Sequence, residues 1–253
     1  MKNPHRLSDK SQRVHQMFDS IAGTYDRINH LLSLNQDRSW RKRAVMQAQI
    51  QPHQELLDLC CGTGDMALEF IKAQPGLKSV TGVDFSEKML RLARKKTAHL
   101  LARNTDDRYK NINIKWLRQD ATKLELPDNQ FDCISCVFGL RNLQNLNAGL
   151  NEILRVLKPA GKLLVLEFAM PKNRLLSWAY QSYFRLVLPV IGSIIAGNRG
   201  DAYRYLPESV RSFDTSDQFC GKLYKNGFEV VRAEHLNWGA VQLYLARKKT
   251  DNA

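Results

Sequence analysis

The chain has 253 residues, 43% hydrophobic and 9% aromatic, so one large domain can bury a sizeable core. Glycine and proline number only 14 and 8, which excludes a collagenous or low-complexity chain. Lys and Arg outnumber Asp and Glu by 38 to 25, and the net charge of +13 favours a polyanionic neighbour: nucleic acid, an anionic membrane surface or an acidic ligand.

Residues 1–50 read as a polar, basic helical cap. Val14, Met17, Phe18 and Ile21 have helical spacing, as do Ile28, Leu31, Leu32 and Leu34, and Trp40-Arg41-Lys42-Arg43 opens a further helix. The opening MKNPHRLSDKSQR lacks an apolar h-region, so no signal peptide is expected. From residue 51 the pattern changes to a domain running to 253. Leu56-Leu57-Asp58-Leu59-Cys60 is a buried strand feeding the turn Gly62-Thr63-Gly64, and residues 65–74 are helical. Ser79 to Val83 is a second strand ending at Asp84, followed by a helix capped by Ser86 with Glu87 in its first turn. Strands are predicted at Ile112–Leu117, Phe131–Phe138 and Lys162–Phe168, with a helix over 145–157. Alternating strands and helices with short turns mark a parallel, doubly wound α/β sheet, and runs such as LLVLEF fit strands buried on both faces.

Residues 172–212 read as a helical insertion, with an apolar helix pair over 174–197. The longest apolar stretch, Leu186 to Gly197, contains Pro189 and Gly192 and is too short to span a bilayer. Thr215 to Asn226 is helical, and the strands Phe228–Ala233 and Ala240–Ala246 form a closing antiparallel hairpin. The five cysteines, Cys60, Cys61, Cys133, Cys136 and Cys220, read as reduced thiols. The C-x-x-C at Cys133 and Cys136 lies in a strand whose period of two sends them to opposite faces, so no metal site is expected.

The glycine turn carries the chemistry. It opens a helix whose unpaired N–H groups face a ligand, and Asp84, at the end of the next strand, suits two ribose hydroxyls. Gly62-x-Gly64-x-x-Ala67 fits a dinucleotide or S-adenosylmethionine equally well. Asp58 suits the amino group of the latter, and Asp120-Ala121 follows the third strand where an adenine amine would sit. The only Tyr-x-x-x-Lys, Tyr244 to Lys248, lies in a predicted strand, the wrong geometry for a dehydrogenase, so methyl transfer is favoured over an NAD-dependent reductase. An RNA methyltransferase or RNA-binding protein is the other competing class; neither an N-P-P-Y-type loop nor an added RNA-binding module appears, and nucleic acid is not expected as a partner.

The segments VHQMFDSIAGTYDRINHLLSL, LLDLCCGTGD, GVDFSEKML, FDCISCVFGLRNL, RVLKPAGKLLVLEF and AYRYLPESVRSF resemble the ubiquinone/menaquinone biosynthesis C-methyltransferase family, over about residues 14–247. The resemblance implies a class I methyltransferase fold, Rossmann-like, with seven strands, the last antiparallel. It implies S-adenosylmethionine as cofactor, S-adenosylhomocysteine as product, and contacts at Thr63, Asp84, Asp120 and Ala121. Where some members carry a contacting Ser, this chain has Val137. The turn CCGTGD looks more like menaquinone-pathway members, which makes demethylmenaquinol the expected substrate and 2-methoxy-6-polyprenyl-1,4-benzoquinol the alternative.

Methylating a ring carbon requires alignment with the methyl donor, exclusion of water and removal of a proton. Arg141 and Asn142 in FGLRN, at the carboxyl end of the fourth strand, are the catalytic candidates, Arg141 stabilising phenolate charge or ordering a water. Asp65 is expected to accept the proton or orient Arg141, and Tyr25 to close over the ring. Trp178, Tyr180, Tyr183, Phe184, Leu188 and Ile191 are candidates for a groove holding the prenyl tail. The basic runs Arg38–Arg43 and Arg91–Lys96 suit an anionic lipid surface, giving a cytoplasmic protein peripheral to the inner face of the membrane. A homodimer stands among the expected partners.

Overall fold

All five residues of Glu55–Leu59 (β1) are buried, as a strand covered by helices on both faces must be. Successive residues serve opposite sides: Leu56 joins one core cluster with Ala67, Phe70 and Val80, while Leu57 joins the other with Leu150, Ile153 and Phe219. Cys133 and Cys136 divide in the same way, Cys133 in the first cluster and Cys136 in the second. The structure, a computed structural model, describes residues 10–171, 173–182 and 201–250.

Seven strands form one sheet: β1, β2 (Ser79–Asp84), β3 (Asn113–Arg118), β4 (Phe131–Val137), β5 (Leu157–Phe168), β6 (Phe228–Leu236) and β7 (Val241–Lys248). Their order is β3-β2-β1-β4-β5-β7-β6, with β7 antiparallel to both β5 and β6. The chain departs from β1 toward β2 and returns on the other side at β4. That reversal makes the carboxyl ends of β1 and β4 the place where a doubly wound sheet opens a crevice. Fold class and closing hairpin are as the sequence indicates. β5 begins five residues early, at Leu157, because Phe131 pairs with Leu157 across a register shift ahead of the pairing of Cys133 with Lys162.

Three helices precede the sheet: α1 (Lys10–Ile21), α2 (Tyr25–Leu32) and α3 (Gln36–Ala48). α3 starts four residues before Trp40, after the left-handed residues Leu34 and Asn35. The sheet's own helices are α4 (Asp65–Ala73), α5 (Glu87–Arg103), α6 (Leu146–Val156) and α9 (Ser216–Lys225). Ser86 caps α5 by accepting from the Met89 N–H, and Thr215 closes a capping box with Gln218 at α9. Between β5 and α9 lie α7 (Arg174–Ser182) and α8 (Asp201–Ser212). The rest of the predicted helix pair, with Tyr183, Phe184, Leu188 and Ile191, lies outside the described residues.

Trp116 on β3 lies across β2 at Gly82. A Cβ at that glycine would stand 2.2 Å from the indole Cζ3. Gly82→Ala is therefore expected to displace Trp116 and cost about 1–3 kcal/mol, read as a shift of the urea midpoint at unchanged slope.

Candidate active site

Three residues at the end of β1 leave the ordinary backbone regions: Cys60, Gly62 and Gly64, with φ of 54°, 54° and 82°. The resulting turn aims the Gly62 N–H at Asp84, whose Oδ2 accepts it at 2.8 Å, while Oδ1 accepts from the Ser86 N–H at 2.9 Å. Each oxygen keeps capacity for a further donor. Burial pushes the Asp84 carboxyl up, against these two backbone N–H groups.

Asp84 and Gly62 line a cavity of about 290 Å³ at the carboxyl ends of the strands. Asp120, Ala121, Asn142 and Tyr25 line it as well, so six of the site residues singled out from sequence share one space. Asp120 accepts from the Thr122 N–H and hydroxyl, both at 2.8 Å. The far wall is α1 and the start of α2: Val14, His15, Phe18 and Tyr25. Val137 also lines this cavity.

Asp58 and Thr63 lie behind the turn, where with Cys61 and Asp65 they surround a recess of about 30 Å³. Asp58 is buried; its Oδ2 accepts from the Ala67 N–H at 3.1 Å and its Oδ1 from the Ser135 hydroxyl at 2.7 Å. Burial pushes its carboxyl up to about 7 despite both bonds. Thr63 turns from the larger cavity and donates to Asp26 Oδ1 at 2.6 Å. Gly64 has no part in the cavity wall; its left-handed backbone starts α4, and a Cβ there would meet Trp116 at 2.7 Å.

A second cavity of about 480 Å³ lies between α2, α3 and the ends of β4 and β5. Its wall is mostly apolar, and it meets the first at Tyr25 and Phe138, which line both. Phe138 and Phe168 stack with centroids 4.3 Å apart, and Trp40 packs edge-on against both. Two polar groups stand out on this wall. The indole N–H of Trp40 is buried with no hydrogen-bond partner among the described residues. The guanidinium of Arg141 lies 5.3 Å over the Phe168 ring.

Arg141 is not oriented by Asp65. Its partner is Glu167, deep in β5: Nη1 donates to Oε2 at 2.9 Å, and the backbone N–H donates to Oε1 at 3.2 Å. Nε donates to the Ser209 hydroxyl at 3.3 Å, and Nη1 also donates to the carbonyl of Phe138. Burial pushes Glu167 up while Arg141 holds it back; burial works against the Arg141 cation, yet Glu167 keeps it above its ordinary range. Asn142 donates to the Phe138 carbonyl at 3.1 Å and accepts from the Tyr205 hydroxyl at 3.0 Å. Phe138 holds φ at 57°, a left-handed position that aims its carbonyl at both residues. Glu167, Tyr205 and Ser209 are functional candidates that the sequence reading missed. An acid inside the apolar strand LLVLEF was the available signal, because a buried carboxylate demands a partner.

Asp65 belongs instead to an ionic network behind the turn. It pairs with Lys96 and, at 3.8 Å, with Arg41. Burial opposes its ionisation, but Arg41 and Lys96 outweigh it and hold the carboxyl below the usual range. Lys96 pairs with Asp26 at 2.6 Å and donates to Thr63 at 2.9 Å; Arg41 pairs with Asp37, which also accepts from Ser33 at 2.7 Å and bonds His30 at 2.8 Å. His30, Asp37 and Asp65 offer ligand atoms within 4.8 Å of one another, and Arg41 is the cation among them. Within the basic run Arg38–Arg43, Arg41 is therefore a buried counter-ion, and Arg43 pairs with Glu234 at 3.1 Å. In the run Arg91–Lys96, Arg91 and Arg94 pair with Glu87 and Lys96 is bound in the network.

Comparison with known proteins places the chain. The model of the ubiE/COQ5 methyltransferase family matches residues 6–248. The ubiquinone/menaquinone biosynthesis C-methyltransferase UbiE of Geotalea daltonii is 38% identical over 245 residues, 96% of this chain and 99% of that protein. The demethylmenaquinone methyltransferases of Deinococcus radiodurans and Thermus thermophilus are 38% and 39% identical, over 95% and 90% of this chain and 95% and 98% of theirs. Among solved structures, a SAM-dependent methyltransferase of Thermotoga maritima superimposes with a TM-score of 0.60 at 20% identity, over 93% of this chain and 99% of the other. The [4+2]-cyclase SpnF reaches 0.66 at 19%, over 95% and 96%. One fold thus serves a methyltransferase and a cyclase, so the fold alone does not carry the chemistry. At these identities and coverages, the chain belongs to the ubiE/COQ5 methyltransferase family.

Proposed function

We propose that this enzyme transfers a methyl group from S-adenosylmethionine to a ring carbon of a prenylated quinol, demethylmenaquinol being the substrate that fits its relatives' names best. The observation that carries the reading is the pair of cavities meeting at Tyr25 and Phe138, the first the more polar of the two and bordered by the glycine turn, the second mostly apolar and bearing Arg141. A polyanion is a poor candidate for the second cavity, whose wall includes Leu34, Leu176 and Trp238 rather than a ring of exposed cations.

The first cavity suits the cofactor. Asp84 has acceptor capacity for the ribose hydroxyls, Asp120 and Ala121 lie where an adenine would be read, and the turn at Gly62 lets a ligand approach the backbone. Asp58, in the recess beside it, supplies a carboxylate for the amino group. Bound S-adenosylmethionine supplies an electrophilic sulfonium methyl. The methyl replaces the ring-carbon hydrogen, so S-adenosylhomocysteine and one net proton, released to solvent, are the other products; the protein does the rest by positioning and charge. Tyr25 and Phe138 hold the ring between the cavities and exclude water. Arg141 stabilises the phenolate that activates the ring carbon, and Glu167 fixes the guanidinium against Phe168. Asn142, held by Tyr205, completes the polar edge. No helix among the described residues is long and apolar enough to cross a membrane. We place the enzyme at a bilayer surface, from which its substrate is drawn.

Asp84→Ala is expected to weaken S-adenosylmethionine binding by about 2–4 kcal/mol with the fold retained; titration calorimetry with wild-type affinity for the variant would remove Asp84 from the cofactor site. Arg141→Ala should cost about two to three decades in kcat while cofactor affinity holds. Both Glu167→Gln and Glu167→Ala remove the counter-charge of buried Arg141; Glu167→Gln keeps an acceptor for the guanidinium and should lower kcat with little change in KM, whereas Glu167→Ala removes charge and acceptor together and should destabilise the fold more, by about 3–5 kcal/mol. Steady-state kinetics and urea titration separate the two effects.

The Asp58 carboxyl also predicts a pH dependence. A cofactor ammonium beside it favours the ionised form, so binding below about pH 7 releases a proton from Asp58. Affinity should therefore rise as pH climbs toward 7 and level off above it. Calorimetry at several pH values should show this slope in the wild type and a flatter profile in Asp58→Asn.

A further inference from the structure

The second cavity opens to solvent through side chains that a soluble surface normally hides. Leu34 and Trp238 line it and are 78% and 84% exposed, and Leu176, also on its wall, is 38% exposed. Both Leu34 and Trp238 sit in left-handed backbone, φ 51° and 52°, each beside a left-handed asparagine. That conformation costs a non-glycine residue free energy. Here it is used to hold a large apolar side chain outward. α7 repeats the theme with two apolar faces. Leu176 and Tyr180, one turn apart, face the cavity. Trp178, expected from the sequence in the tail groove, does not line it: Trp178 and its neighbour on the helix, Leu175, are 67% and 73% exposed.

Scattered surface leucines need no explanation, but three exposed large apolar residues on the wall of one apolar cavity, with two more on the helix that carries one of them, do. The chemistry beside them indicates the occupant. α3 starts at the mouth with Gln36, and its exposed residues include Arg38 and Lys42, spaced one turn apart. Exposed indoles and leucines beside cations, on a chain of net charge +13, match the layered chemistry of an anionic bilayer interface. A protein partner would not require the patch to surround the opening of the cavity.

We infer that Leu34, Leu175, Leu176, Trp178 and Trp238 form a membrane-inserting rim, which seats the mouth of the second cavity in the headgroup layer of an anionic bilayer. The inference rests on the quinol reading for its purpose: a tail could pass from lipid to cavity without crossing water. The rim itself is tested independently of that reading.

The full-length chain is sedimented with phosphatidylcholine vesicles containing about a third phosphatidylglycerol, wild type beside Leu175→Gln/Trp178→Gln, neither of which lines the cavity. The control is Tyr224→Gln/Val231→Gln, two other exposed apolar residues that line neither cavity. The rim variant should lose tenfold or more in vesicle partitioning, and the control less than twofold. Turnover of a short-tailed quinol without vesicles should be equal in all three. Wild-type binding that ignores the rim substitutions overturns the inference. So does a dimer dissolved by the rim substitutions in a chain that ignores vesicles. If no quinol is methylated but rim-dependent vesicle binding stands, the quinol reading fails and the rim remains.

Discussion

Both cavities depend on the N-terminal helices staying against the carboxyl ends of the strands, and a chain of charges behind the glycine turn holds two of them, α2 and α3, in place. Asp65, the first residue of α4, binds Arg41 of α3 and Lys96 of α5; Lys96 in turn binds Asp26 of α2, which accepts from Thr63 in the turn itself. Four helices and the turn are thereby joined by groups that are largely shielded from water. Shielding matters to the magnitude. Exposed pairs contribute little, whereas removing one partner of a buried pair leaves an uncompensated charge costing several kcal/mol. Asp65 also sits at a helix N-terminus, where the backbone dipole favours its negative charge. The apolar packing of Ile28 and Trp40 adds area without direction. The ionic chain supplies the direction, and so decides where Tyr25 stands relative to Gly62.

That placement divides the site by polarity. On one side of Tyr25 and Phe138 the wall offers Asp84, Asp120 and Asn142; on the other it offers stacked aromatic rings and Arg141. A cation in apolar surroundings is costly unless a counter-ion lies close, and Glu167 meets that need from inside the sheet. Carrying the counter-charge on β5 rather than on a loop has a consequence. A strand paired on both sides cannot shift, so the guanidinium is held to the geometry of the sheet. Ser209 and Tyr205 from α8 meet Arg141 and Asn142 from the opposite direction.

The strands were legible in the sequence because burial on both faces leaves continuous apolar runs, and the turn because glycine has few substitutes at positive φ. Asp84, Asp120 and Ala121 could be assigned to one site because they end or follow neighbouring strands. Partner identity was harder to read. Asp65 lies only two residues from Thr63, so local reasoning drew it toward the reaction. Its side chain instead follows the helix it starts, away from Arg141. Glu167 was visible as a charge within LLVLEF, but which cation answers it depends on the β4–β5 pairing. Arg41 read as one of four cations in a basic run; Asp37, four residues earlier on the same helix, was the signal that it turns inward. Leu34 was counted into a helical stripe, and the left-handed turn that expels it from α2 is set by its neighbours.

The backbone carries a second constraint that the side chains conceal. Cys60 and Phe138, at the carboxyl ends of the adjacent strands β1 and β4, both adopt left-handed conformations without being glycine. Gly139 lies against Cys60, where a Cβ would stand 2.5 Å from that of the cysteine and 2.9 Å from the Cys136 sulfur. The two strand ends therefore turn together in a space that admits no additional methyl group. One turn presents the Gly62 N–H to Asp84; the other presents the Phe138 carbonyl to Arg141 and Asn142. The turn after β1 lines the first cavity, the turn after β4 lines both, and the contact of Cys60 with Gly139 ties one to the other. In the proposed reaction, alignment of methyl donor and ring carbon would rest on the packed ends of two strands, which yield less than any loop would, and the helices above would need only to close the space.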